Sequence, residues 1–234
     1  VRTVTDVAAG DPTLTWDLAR DVRQLFDYAF MVNAFEAGTI AAVLAGCVGW
    51  FMVMRRESFA GHTLAVVGVP GASGAVVLGL SAQLGYFAFS IAAAVAVALR
   101  SVSGRGRNEE SATIGLIQAF ALSCGFLFAS LYKGNINGIN AVLFGSFLGV
   151  TTDQVRALAV VASLTLAVLA AIARPLLFAS VDPDVAAARG VPVRLVSASF
   201  LVLLGVAAAA ASQITGGLLV FALLVLPDAT AQRH

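Results

Sequence analysis

Residues that could carry out chemistry are few in this chain of 234 residues. His62 and His234 are the only histidines, and neither has an evident nucleophile and buried carboxylate to complete a Ser-His-Asp group. The polar loop GRGRNEE (104–110) lacks both the Lys-Ser/Thr pair and the flanking strand of a phosphate-binding loop. We therefore expect no enzyme activity, no bound cofactor and no ATP site in this chain.

One carboxylate, Asp228, lies at the end of the last apolar stretch, directly after Pro227. A carboxylate inside lipid is energetically costly and is often functional. If the apolar helix ended at Pro227, Asp228 would instead be a solvated residue at the membrane boundary. The sequence leaves both interpretations open.

The segment SVDPDVAAARGVPV (180–193) predicts a short helix outside the membrane. It combines an N-cap aspartate, a first-turn proline, an acidic helix start, three alanines, a basic helix end and a glycine for the C-cap. These capping residues are Asp182, Pro183, Asp184, Arg189 and Gly190. A helix about 10 Å long with such complete capping suits docking into a cleft of a partner, although a plain linker helix is the alternative.

The composition of the chain indicates a membrane protein, since 59% of its residues are hydrophobic and only 12% are charged. Charged side chains are absent from several long windows, namely 58–99, 111–132, 134–152, 157–173 and 195–227. A hydrocarbon core of about 30 Å needs roughly 20 apolar helical residues. Continuous apolar runs also exclude a membrane β-barrel, whose strands alternate. The prediction is an all-α, polytopic bundle of transmembrane helices.

Turn residues and charges divide the apolar runs into seven predicted spans. The Arg-Arg-Glu sequence at 55–57 ends the first span, and Gln83 and Gly85 are expected to divide the 42-residue uncharged run. The predicted spans are 34–54, 62–82, 84–99, 111–131, 155–173, 196–212 and 214–231. Residues 140–150 are too short to cross and predict a re-entrant half-helix buried in protein.

The arginines and lysines predict the orientation. With the N-terminus outside, nine fall on the inner side: Arg55, Arg56, Arg100, Arg105, Arg107, Arg174, Arg189, Arg194 and Arg233. Five fall on the outer side: Arg2, Arg20, Arg23, Lys133 and Arg156. This bias predicts a multi-pass plasma-membrane protein with its C-terminus in the cytoplasm.

The N-terminal 33 residues are polar and predict an extracytoplasmic tail rather than a signal peptide. Within this tail, residues 16–30 place their large apolar side chains on one helical face, which predicts an interfacial amphipathic helix. A short polar tail is the alternative. The net charge of +1 gives no indication of a nucleic-acid partner, so the lipid bilayer is the expected surroundings of residues 34–231.

Several segments in order resemble the zinc/manganese-type ABC permease family, and more distantly the permeases of iron–siderophore and cobalamin importers. They begin after the Arg-Arg pair with GHTLAVVGVPG (61–71) and EESATIG (109–115), and they continue through AVLFGSFLGVT (141–151), the 182–193 segment and GGLLVFALLVLPDATA (216–231). The resemblance implies a type II ABC importer-like fold and a permease for a divalent metal ion such as zinc or manganese. It also implies a homodimer, a separate cytoplasmic ATPase, an extracytoplasmic metal-binding protein, and a 182–190 helix that couples to the ATPase.

The chain departs from this family at three places. Where the family has an Asp and a His one helical turn apart on the translocation path, this chain has His62 and Val66, so His62 is the remaining candidate metal ligand. Asp228 stands where the family usually has Ala. The family also usually continues with a further hydrophobic segment, so residues 34–231 are C-terminally short relative to it.

Two other functions are compatible with a bundle of apolar helices. A secondary transporter or channel would need no ATPase, but it predicts charge pairs or broken-helix repeats within the membrane, which the charge-free windows disfavour. A degenerate, non-transporting membrane subunit is the third possibility, and the missing second metal ligand is compatible with it.

Overall fold

The described part of the chain is helical throughout. The computed structural model describes residue 26, residues 28–102, residues 107–131 and residues 149–231. In those ranges the helices are α1 Ala29–Met54, α2 Ser58–Val77, α3 Ala82–Val102, α4 Arg107–Leu131, α5 Thr152–Val181, α6 Pro183–Ala188, α7 Val193–Thr215 and α8 Gly217–Ala231. The all-α prediction is confirmed.

Six of these helices, α1 to α5 and α7, are long and apolar enough to cross a membrane. Six of the seven predicted spans correspond to these helices, and the seventh, 214–231, corresponds to the shorter apolar helix α8. Helix α7 runs on to Thr215 and is followed at Gly216 by a backbone φ of 82°, so α8 has only 15 residues. At 1.5 Å per residue α8 is about 22 Å long, shorter than a hydrocarbon core of about 30 Å.

The predicted division of the long uncharged run at Gln83 and Gly85 is wrong. The chain turns earlier, where Gly79 has a φ of 74° and the Ser81 hydroxyl accepts a hydrogen bond from the Leu84 N–H at 3.4 Å. Gly85 lies inside α3, packed against Gly71 of α2, where a Cβ on either glycine would overlap the other's carbonyl oxygen. Small residues allow membrane helices to approach this closely, so Gly85 is a packing residue and not a helix breaker.

Helix α2 occupies the centre of the bundle and packs on α3, α4 and α7. The Tyr86 hydroxyl of α3 donates a hydrogen bond to the Ala65 carbonyl of α2 at 2.7 Å. The Tyr86 ring fills the space beside Gly68. A second part of the core joins α1, α5, α7 and α8 through large buried side chains such as Leu44 and Phe200.

Helix α5 is longer than its predicted span of 155–173. A capping box begins it, since the Thr151 hydroxyl accepts from the Gln154 N–H and the Gln154 side chain accepts from the Thr151 N–H. Its 30 residues run to Val181 and measure about 45 Å, so the helix extends beyond a hydrocarbon core of about 30 Å.

Hydrogen bonds at the two ends of the bundle show which helix ends lie together. At one end, the Asn33 side-chain amide of α1 donates to the Val150 carbonyl at 3.1 Å and contacts the Thr152 hydroxyl at 3.3 Å. At the other end, Arg55 bonds the end of α5 and the start of α7. Helix α6 lies at this second end, as the predicted topology requires.

Two predicted elements lie mainly outside the described residues. Of the amphipathic helix expected at 16–30, the structure describes Phe26, Tyr28 and the first two residues of α1. Of the half-helix expected at 140–150, it describes residues 149 and 150. Both remain predictions, as does the division of the chain at residue 34, although α1 already begins at Ala29.

Candidate functional site

The short helix predicted between the last long spans is present as α6. The Asp182 carboxylate accepts a hydrogen bond from the Val185 N–H at 3.0 Å, which makes Asp182 the N-cap. Pro183 is the first helical residue, where its missing N–H costs nothing, and the acidic Asp184 lies in the first turn. The predicted start of the helix is confirmed.

The end of α6 is a Schellman motif. Gly190 has a φ of 82° and its N–H donates to the Ala187 carbonyl at 2.9 Å. The Val191 N–H donates to the Ala186 carbonyl at 3.0 Å. Arg189 is the C-cap residue. The left-handed conformation predicted for Gly190 is confirmed.

Helix α6 presents most of its surface outward. Ala186 is fully buried against the bundle, whereas Val185 and Ala187 are exposed, as is Arg189 after the helix. One small buried side chain anchors α6 to the bundle, and the caps at both ends stabilise the helix. A partner can therefore bind its exposed surface without unfolding it. This geometry is suited to docking. The role of these residues in coupling stays a prediction.

His62 and Val66 interrupt an otherwise buried stretch of α2. Every residue of α2 from Ala60 to Ala75 is buried except His62 and Val66, which are partly exposed. Four residues apart on a helix, they share one face. Thr63 follows His62 in the chain, and its hydroxyl donates a hydrogen bond to the Gln118 side-chain carbonyl of α4 at 3.0 Å. This bond joins the His62 region of α2 to α4.

The described residues do not bring a set of metal ligands together. Among them, no three side chains of the His, Cys, Asp and Glu types lie close enough to hold a metal ion. Ligation of a metal ion by His62 stays a prediction.

Asp228 is buried, with 7% of its surface exposed, and α8 continues past it to Ala231. The interpretation of Asp228 as a solvated boundary residue therefore does not fit the structure. Its Oδ2 atom lies against Gly49 of α1 and has no hydrogen-bond partner among the described residues. A functional role for this carboxylate remains a prediction.

A polar group that sequence reasoning missed lies at the same end as α6. The Arg55 guanidinium bonds Glu57, Ser180 and Ser197 and sits over the Phe200 ring. In the sequence, Arg55 is one of two arginines that end an apolar span. Its position predicts an interfacial charge, but nothing in it indicates which serines it will contact.

Comparison with known proteins places this arrangement among transport proteins. Residues 27–234 match the ABC 3 transport family. The manganese transport system membrane protein MntC of Halalkalibacterium halodurans is 28% identical over 208 residues, which is 89% of this chain and 70% of the relative. The chelated iron transport system membrane protein YfeC of Yersinia pestis is 31% identical over 209 residues, again 89% of this chain and 70% of the relative.

A solved structure of a similar protein has the same fold. PsaBC of Streptococcus pneumoniae, in complex with a Fab, superposes with a TM-score of 0.77 at 27% sequence identity. The match covers 92% of this chain and 76% of that chain.

Proposed function

This chain belongs to the ABC 3 transport family, and on that ground we propose that it is the membrane-spanning permease subunit of an ABC importer for a divalent first-row metal ion. The observation that carries the proposal is α6, a capped helix that projects from the bundle at the end where Arg55 and Arg56 lie. Arginine-rich ends face the cytoplasm, so α6 is presented where an ATPase would bind.

Energy must come from a partner. The chain has no phosphate-binding loop, and a permease of this kind moves its cargo when ATP binding in the partner shifts the helices that dock on it. We assign that docking to Asp182, Pro183, Asp184, Arg189 and Gly190, which build and close α6. Exposed Val185 and Ala187 supply its contact surface.

The proposed cargo is a divalent metal ion such as manganese or zinc. Relatives named for manganese and for chelated iron support this class of cargo. The partly exposed face of α2 formed by His62 and Val66 offers an imidazole nitrogen, and nitrogen donors favour zinc over manganese. The remaining components proposed are a homodimer of this chain, an extracytoplasmic metal-binding protein and an N-terminus outside the cell.

The test is ATP-driven metal uptake into proteoliposomes that contain this chain, its ATPase and its binding protein. We expect manganese or zinc to enter only when ATP and all the components are present. Equal uptake without the ATPase would favour a secondary transporter or channel. Absence of uptake for manganese, zinc and iron, from a complex that assembles and hydrolyses ATP, would favour the degenerate subunit.

A further inference from the structure

The Arg55 side chain is the centre of a polar contact between four helices. It follows the last residue of α1, and its Nε donates to Glu57 Oε1 at 2.9 Å, just before α2 begins. Its Nη1 donates to the Ser180 hydroxyl of α5 at 3.1 Å, and its Nη2 donates to the Ser197 hydroxyl of α7 at 2.7 Å. All three guanidinium nitrogens are engaged.

This contact is sheltered from solvent. The side chains of Arg55 and Glu57 are only 10% and 14% exposed, and the Arg55 Cζ atom lies 5.6 Å from the ring centroid of the fully buried Phe200. A buried ion pair is held in one geometry when further hydrogen bonds satisfy its remaining donors. The planar fork of arginine can meet three partners at once, which the point charge of lysine cannot do in the same geometry.

The two serines flank the docking helix. Ser180 stands two residues before Asp182, the N-cap of α6, and Ser197 lies in the second turn of α7, which follows α6. Glu57 stands directly before α2, and His62 follows five residues later. Arg55 therefore joins both supports of α6 to the start of the helix that carries the proposed transport face.

A cavity borders this contact on one side. A cavity of about 460 Å³ lies between the α1–α2 turn and the start of α6, and its lining includes Arg55, Glu57, Ser111 and Pro183. Atoms that line opposite sides of this cavity are not in van der Waals contact, so packing does not connect them directly there. The hydrogen bonds of Arg55 provide a direct polar connection beside the cavity.

We infer that Arg55 is a positioning residue that transmits the movement of α6 to α1 and α2. The inference rests on the proposed function, because it assumes that an ATPase moves α6. When α6 shifts, the ends of α5 and α7 shift with it, and the guanidinium carries that shift to the α1–α2 turn. Without the contact, the ends of α5 and α7 are joined to α1 and α2 mainly by apolar packing, and we expect the movement of α6 to be transmitted less completely.

Three variants test this connection. Arg55→Gln removes the charge and most of the donors. Ser180→Ala combined with Ser197→Ala keeps the Arg55–Glu57 ion pair and removes the bonds from Arg55 to α5 and α7, together with the bond that the Ser180 hydroxyl donates to the Leu176 carbonyl within α5. Arg56→Gln is the matched control, because it removes the neighbouring positive charge from an exposed side chain.

The measurement is the number of metal ions transported per ATP hydrolysed, in proteoliposomes of the assembled complex. Coupling between sites typically changes an equilibrium by about 5- to 150-fold, and we expect the ratio to fall by about tenfold in Arg55→Gln and in the double serine variant. Arg56→Gln should stay within about twofold of the parent. Co-purification with the ATPase should persist in all three, since none alters the surface of α6.

The outcomes separate this inference from the proposed function. A parental complex that transports no metal would overturn the proposed function and the inference with it. Parental transport together with an unchanged ratio in the double serine variant would overturn the inference alone. Loss of ATPase co-purification in that variant would also overturn it, because the serines would then act in assembly and not in transmission.

Discussion

Gly49 of α1 packs closely against Leu224 and Asp228 of α8. A Cβ at Gly49 would overlap the Leu224 carbonyl oxygen and Asp228 Oδ2. The Asp228 side chain can rotate away, but the Leu224 carbonyl belongs to the backbone of α8. Glycine at position 49 is therefore needed for the two helices to approach this closely.

We predict that Gly49→Ala destabilises the protein by about 1–3 kcal/mol, the usual cost of overpacking. For a chain of this size that corresponds to a fall in Tm of at least about 2 °C, measured in detergent by thermal unfolding. The control is Gly46→Ala, one turn earlier in α1, where a Cβ meets no atom of the described residues within 4 Å. Equal Tm values for the two variants would contradict the predicted contact.

His62 gives a prediction about the cargo. His62→Ala should lower cellular zinc uptake about tenfold or more, since even outer-shell partners of a metal typically change affinity by about 10- to 100-fold. Protein level in the membrane should not change. Val66→Ala is the matched control on the same partly exposed face, because it removes no donor atom.

A second variant places an oxygen donor at position 62 and a histidine at position 66. His62→Asp combined with Val66→His should shift the preference from zinc toward manganese, measured as the ratio of the two metals taken up in competition. If His62→Ala transports zinc at the parental rate, His62 is a structural residue. A metal chelate or another small solute would then be the better assignment for the cargo.

Among the helices, α6 is the one whose integrity the proposed coupling requires. Ala187→Pro should break it at a cost of about 3 kcal/mol or more, because an interior proline removes a hydrogen bond and clashes with the preceding turn. Gly190→Val should strain the end of α6, because the backbone φ of Gly190 is 82°. Both variants should insert into the membrane but lose co-purification with the ATPase.

Ala187→Ser is the control for α6, since it changes the same exposed position without breaking the helix. It should co-purify with the ATPase as the parent does. Normal co-purification and normal transport in both Ala187→Pro and Gly190→Val would show that α6 is only a linker between α5 and α7.

For the molecule as a whole, the testable property is its orientation in the membrane. We predict that the end with α6 faces the cytoplasm and the end with Asp153 faces outward, because the arginines are concentrated at the α6 end. Single cysteines at Ala188 and at Asp153, both exposed positions, report on the two ends. The background replaces Cys47 and Cys124, the two free cysteines, with alanine.

An impermeant thiol reagent applied to intact cells should label Asp153→Cys and leave Ala188→Cys unmodified. Permeabilised cells should show labelling of both. The reverse pattern in intact cells would invert the topology and remove α6 from the reach of a cytoplasmic ATPase.

Local sequence determined where most helices lie and how several of them end. Hydrophobic windows of about 20 residues predicted the six long helices, and Arg55 to Glu57 correctly marked the end of the first one. The caps of α6 were predictable because Asp182 and Gly190 act on backbone groups within four residues of themselves. The error at Gly85 arose because a glycine has two possible uses, as a helix breaker or as a packing residue.

Tertiary structure alone decided what the polar residues contact. Arg55 meets hydroxyl groups 125 and 142 positions further along the chain, and Asp228 is buried because Gly49 leaves room for it on another helix. Gly85 is helical because Gly71 accepts its close approach. Each outcome depends on how helices far apart in sequence are rotated and shifted against one another. Hydropathy and capping act within one helix, so they contain no information about that arrangement.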